Sequence, residues 1–218
     1  MNAAPASASD PIGPEAEGPL TLLPAQWQAL REAYATPPRA YHHAGHMRDV
    51  LVHYREVADG PGWHRPHEVW FAVLYHDAIY VPGRRDNEAR SAQLAETHLA
   101  RWWPEADIDR ARVSALIAAT ARHGAWRPDD FARDADGDDM RRFLDCDMAI
   151  LGAAPDVFAA YDRAIAEEYR AVPRWLYRRR RRAFFRMLLE SERIYLSDFF
   201  RERYEAQARR NLEAAVAG

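Results

Sequence analysis

Three short stretches of the sequence bring metal-ligating and proton-transferring side chains together. The first is Tyr41-His42-His43-Ala44-Gly45-His46, followed by Asp49 and His53. Read as one helix from about Tyr41, positions 42, 46, 49 and 53 share a face. Polar groups on such a face either meet water or need a partner, because unpaired burial costs free energy. His42 and His46 also have the spacing of a zinc-protease helix. The residue after the first histidine is His43 rather than a glutamate base, which argues against that chemistry. The second stretch is His76-Asp77 inside the apolar run Trp70 to Tyr80. As a helix, it puts His76 on the core-facing stripe of Ala72, Val73, Ile79 and Tyr80. An ionised aspartate beside a neutral imidazole there needs a cation or several hydrogen bonds. A bound metal ion supplies the first, and a structural His–Asp bond the second. The third stretch is Asp145-Cys146-Asp147. Acids at i and i+2 on a helix point about 200° apart. Asp147 shares the stripe of Leu144, Met148 and Leu151, which predicts burial. Asp145 shares that of Arg141, Arg142 and Ala149, which predicts solvent and local charge pairing. Asp147 is therefore the better ligand candidate.

The elements needed to position these groups all read as helices. Pro24 can open a first helix through Tyr34, stopped by Pro37-Pro38. The second is expected from about Tyr41 to Ala58, and the third from Pro66 to about Tyr80. The fourth follows an Asp86 N-cap and ends before Pro104, and the fifth runs from Asp107 to about His123. After an acidic loop, 129–139, the sixth runs from about Asp138 to Leu151. Pro155 and Pro173 open the seventh and eighth, and a last one covers about Asp198 to Leu212. No alternating run flanks an Asn-Gly or Asp-Gly turn, so no hairpin is expected. The expected fold is all-α: one helical domain over residues 20–218 after a flexible tail, 1–19, rich in Ala, Pro, Ser and Gly.

Composition narrows the chemistry. The chain has 218 residues, 48% hydrophobic and 29% charged, enough for a sizeable core. Its 30 basic residues, all arginine, stand against 33 acidic ones, a net charge of -3. Lysine chemistry is excluded, and a general nucleic-acid binder is not expected. The five arginines 178–182 would spread around a helix rather than form one stripe. A single cysteine, Cys146, excludes an internal disulfide and a cysteine-caged zinc. With no signal-peptide pattern at Met1–Asp10 and no membrane-length apolar run, a cytoplasmic protein is expected.

His46, the His76-Asp77 doublet and Asp147 follow the order H…HD…D. With Tyr41–His46, Trp70–Tyr80, Asp86-Asn87-Glu88, Ser91-Ala92, Thr120 with His123 and Asp145–Gly152, and in the C-terminal part Tyr177 with Arg181, Ile194-Tyr195, Glu205 with Ala208-Arg209 and Asn211-Leu212, the chain resembles the HD-domain superfamily of metal-dependent phosphohydrolases, in particular a subgroup described as predicted HD phosphohydrolases, over residues 20–213. The resemblance implies an HD-type domain in which His46, His76, Asp77 and Asp147 ligate one or two divalent ions. Donors of this kind suit Mn, Fe, Co, Ni or Zn, with Mg also open. It implies hydrolysis of a small phosphorylated molecule, such as a nucleotide, with Asp77 doubling as acceptor of the water's proton. Glu88 and His123 are further catalytic candidates. Glu88 reads equally as a favourable acid at a helix start, and His123 as a second-metal ligand, a phosphate donor or a helix cap. Arg84 and Asn87 are candidates for substrate binding, and Arg181 could bind phosphate. The extra histidines His42, His43 and His123 leave a di-iron oxygenase open, and a non-catalytic protein stabilised by its metal is a third reading. Neither a specific nucleic-acid nor a membrane partner is expected, while aromatics in the C-terminal helices would permit a homodimer.

Overall fold

Proline and capping residues divide the chain into helices at nearly the expected places. The computed structural model describes residues 18–218, so residues 1–17 of the expected tail lie outside the described residues. Among the described residues there are nine α-helices and no strand. They are α1 (Pro24–Ala35), α2 (Ala44–Asp59), α3 (Pro66–Tyr75), α4 (Asn87–Trp102), α5 (Arg110–Ala119), α6 (Ala135–Met148), α7 (Pro155–Glu168), α8 (Arg174–Glu190) and α9 (Asp198–Ala217). Pro24, Pro66 and Pro155 occupy first turns, where a missing N–H costs nothing. Asp109, Asp134 and Ser197 cap α5, α6 and α9 through side-chain oxygens. The chain is all-α.

Helix α3 is the axis of the fold. Val69 through Tyr75 are fully buried, and α2, α4, α5 and α6 all pack on it. A helix apolar on every side needs such surroundings. Helix α9 lies along α8 and against the tight turn Ala149–Gly152 that follows α6. No described helix is long and apolar enough to cross a membrane.

Several helix ends differ from the sequence reading. Helix α2 starts at Ala44, because the amides of Tyr41 and His42 donate to the Glu168 carboxylate at 2.8 and 2.9 Å. His43 becomes the N-cap, its Nδ1 accepting from the Gly45 amide. His42 is therefore not on the helix face expected of it. Helix α3 ends at Tyr75 rather than about Tyr80, which leaves His76 as its C-cap. The chain beyond is fastened to α4. Ser91 Oγ accepts from the Ile79 amide and donates to its carbonyl, while the Asn87 side chain does the same for Val81. Helix α5 stops at Ala119, and a tighter turn, Thr120–Arg122, carries the chain to His123. Asp86 makes no capping bond; its carboxylate pairs with Arg84. Asp134, earlier than expected, caps α6.

Asp145 is the clearest correction. It does not face solvent; it is 1% exposed. Its carboxylate accepts from the Leu196 amide at 2.7 Å, the Ser197 amide at 2.7 Å and the Ser197 hydroxyl at 2.6 Å. A helical wheel places it rightly on the face opposite Asp147 but does not show that α9 covers that face. Burial pushes the Asp145 carboxyl up to about 7, the three donors acting the other way. Replacing Asp145 by alanine strands these donors in the interior, at an expected cost of about 3 kcal/mol. Thermal or urea unfolding of Asp145→Ala checks this; an unchanged midpoint would show that the clamp does not hold α9.

Candidate metal centre

The ends of three elements bring the candidate ligands together. His46 is the third residue of α2, His76 caps the C-terminus of α3 with Asp77 next, and Asp147 is the penultimate residue of α6. His46, His76 and Asp77 are buried and together could hold a metal ion. The Nε2 atoms of His46 and His76 are 3.2 Å apart. Asp77 Oδ2 lies 3.4 Å from the first and 3.2 Å from the second. Asp147 Oδ1 approaches the same two atoms at 2.9 and 3.7 Å. Ligand atoms bound at about 2.0–2.2 Å to one ion would be spaced at about 3 Å, so the spacing of His46, His76 and Asp77 fits a single metal ion.

The tautomer of His76 adds a reason to expect a cation. Its Nδ1 lies 2.9 Å from the Val73 carbonyl, which can only accept, so Nδ1 carries the proton. In the neutral ring Nε2 then offers a lone pair to two carboxylates and a second imidazole. That arrangement is repulsive unless a cation, proton or metal, lies among them. The C-terminal ends of α3 and α6 also point here, and their partial negative charge favours a cation.

Residues the sequence reading passed over hold this arrangement in place. Arg39 donates through Nη1 to the carbonyls of His42 at 2.8 Å and Asp77 at 2.6 Å, and through Nη2 to those of Ala33 at 2.8 Å and Ala78 at 2.9 Å. One guanidinium thereby ties the end of α1, the lead into α2 and the turn after α3 together. Glu168, at the end of α7, accepts from His42 Nδ1 at 2.6 Å besides the two amides, and the His42 ring stacks 3.9 Å from Tyr80. Neither Arg39 nor Glu168 belongs to a local pattern. Arg39 reaches Asp77 and Ala78 across 38 and 39 residues and Glu168 reaches His42 across 126, so no spacing rule could have found these contacts.

Of the metal group, Asp77 lines a cavity of about 560 Å³. Asp77, Asp147, His123, Glu88, Arg84 and Asn87 all line it. The structure thus brings every sequence-derived candidate except His46 and His76 to one surface, and those two sit buried behind Asp77. Asn87 has both ends of its amide on Val81, and exposed Arg84 is paired with Asp86, so both arrive with partners. His123 Nδ1 lies 3.2 Å from Asp147 Oδ2, while its Nε2 is buried with no partner among the described residues. The carboxylate fixes the proton on Nδ1, which leaves Nε2 a lone pair. In that state His123 Nε2 can accept a proton or a metal ion.

The electrostatics follow from burial against charge. Burial raises the Asp77 carboxyl, but His76, His42 and bonds from His46 hold it well below the usual range. Asp147 is held down likewise against burial, by His123, His76 and His46. Burial lowers His46, yet its bonds to Asp147 and Asp77 raise it to about 9, and His76 is raised well above its ordinary value by Asp77 and Asp147 against the same burial cost. Burial pulls the His123 imidazole down, so it stays neutral near pH 7.

No family model matches this chain, and comparison with curated proteins and with solved structures found no match.

In the protein without metal, His46 and His76 therefore carry protons at neutral pH, and a metal ion must displace them. Apparent metal affinity should rise with pH through the neutral range and up to at least about 9, as His46 gives up its proton. Calorimetric titration of the chelator-treated protein with Mn or Zn, in buffers of different ionisation enthalpy, measures the protons released. Uptake without proton release would show that His46 and His76 are already neutral before the metal arrives, against this expectation.

Proposed function

We propose that the chain is an HD-type phosphohydrolase in which His46, His76, Asp77 and Asp147 hold a divalent ion. The observation that carries this reading is the convergence of these donor atoms, with Asp77 and Asp147 in the wall of a cavity that His123, whose Nε2 has no partner among the described residues, and arginines also line. A bound divalent ion would lower the pKa of a water and neutralise charge on a phosphate oxygen. The protein's own residues supply the rest. Asp77 lines the cavity and is a candidate acceptor for the water's proton. Asp147 orients the His123 ring so that Nε2 can also take up a proton. Glu88, in the first turn of α4, presents a second carboxylate to the same cavity. Tyr41, Tyr80, Tyr161 and Phe184 supply flat walls suited to a small phosphorylated molecule such as a nucleotide.

The first test is elemental analysis of the purified chain beside Asp77→Ala. About one equivalent of a divalent transition metal, lost in the variant together with phosphate release from a substrate panel, is the expected result. Full activity in Asp77→Ala would sink the assignment. For His123→Gln the expectation differs: metal retained, with kcat lowered about a hundredfold. Equal loss of metal and turnover in that variant would make His123 a ligand instead.

The third imidazole beside Asp147 also supports a second reading, a di-iron oxygenase. Near two equivalents of iron with substrate-dependent oxygen uptake, and no phosphate release, would establish it. Unfolding on chelation without any turnover would favour a metal used only for stability.

A further inference from the structure

Two buried polar atoms on α8 have no hydrogen-bond partner among the described residues: Nη2 of Arg181 and the hydroxyl of Tyr177. The residues are four apart, so they lie one turn from each other on the same helix face. Arg181 is otherwise held firmly. Its Nε donates to Asp162 Oδ1 at 2.9 Å, and its guanidinium lies 4.4 Å from the Phe185 ring and 5.0 Å from that of Tyr161. Buried donors without partners are uncommon, because each forfeits the bonds it made to water.

Their place in the fold suggests what they are for. Tyr177 and Arg181 line the cavity over the metal group and also a neighbouring one of about 610 Å³. The neighbouring cavity is also lined by Arg163, Arg170, Arg174, Arg178 and Arg182, against the side-chain carboxylates of Asp162 and Glu167. Arg181 and Tyr177, with Tyr169 and Val172, thus form a partition between the cavity beside the candidate ligands and a cationic one. From Arg181 the way back to the metal group passes over two rings. Tyr161 stands 4.7 Å from Tyr41, and Tyr41 stands 4.7 Å from His46.

We propose that Arg181 and Tyr177 grip an anionic, phosphoryl-type group of the substrate other than the one at the metal group. The substrate class is then a molecule with two separated anionic groups, one end on the metal ligands and the other reaching past the partition toward the arginine-rich cavity. This rests on the hydrolase reading for the reacting end alone. A planar guanidinium fork with a phenol beside it matches phosphate oxygens without help from a metal.

The experiment is titration of the full, chelator-treated chain with inorganic pyrophosphate, followed by calorimetry. The parent should bind saturably. Tyr177→Phe should weaken binding about tenfold, the effect of losing one hydrogen bond to a charged group. It should leave the melting temperature unchanged, since the hydroxyl it removes has no partner. Arg181→Lys keeps the charge, loses the fork and should bind more weakly still. Arg179→Gln removes the same kind of charge from an exposed site off both cavities, and should bind like the parent. No saturable binding to the parent, or equal affinity in Tyr177→Phe, overturns the proposal. Should Arg181→Lys fail to fold, Tyr177→Phe decides alone. A chain that binds pyrophosphate in this pattern yet releases phosphate from nothing, with metal restored, would refute the hydrolase reading and keep the anion site.

Discussion

Two imidazole nitrogens 3.2 Å apart, with carboxylate oxygens of Asp77 and Asp147 at 2.9–3.7 Å from them, repel one another unless positive charge lies among them. That constraint organises the structure around His46, His76, Asp77 and Asp147. The scaffold resists the repulsion with contacts that reach far along the chain. Arg39 fixes the carbonyls around the His76-Asp77 turn, Glu168 fixes the lead into α2, and the Val73 carbonyl fixes the ring of His76. The ligands also sit at helix ends rather than helix middles. A helix end offers a change of chain direction, so side chains from α2, α3 and α6 can meet without their axes colliding. It also presents a fixed partial charge, here negative from α3 and α6.

Much of this is legible in the sequence. Proline at first turns and apolar periodicity place the helices to within a few residues, because those signals act locally. The ligand candidates stand out because polar residues interrupt apolar stripes. The failures share a cause. His42 leaves the helix because Glu168, 126 residues away, takes its amide. His76 moves from mid-helix to helix end because Ser91 and Asn87 take the backbone groups that would have continued α3. Asp145 reads as solvent-facing because a helical wheel does not show what packs on the far side. In each case a tertiary hydrogen bond overrides a local pattern.

The two acids on either side of Cys146 in α6 show how one helix end can serve two purposes. Asp147 faces the cavity, and Asp145 faces the start of α9. Both depend on the last turn of α6 keeping its place, so the packing of the C-terminal helix and the geometry of the candidate centre share one support. The arginine-only composition fits the same economy. Arg39 bonds five carbonyls with the two ends of one fork, and Arg181 combines ring stacking with a carboxylate contact, tasks for which a lysine ammonium has the wrong shape.

Between those two acids sits Cys146, the chain's single thiol, 1% exposed. Burial raises its pKa well above the ordinary value, and the charges of Asp145 and Asp147 raise it further. Thiolate is the reactive form, so in the folded protein this sulfur is shielded from alkylating reagents and from oxidants. It becomes available only when α6 separates from its neighbours. The chain thus carries a built-in clock: the pace at which Cys146 is labelled counts openings of the helix that carries Asp147, with no probe attached.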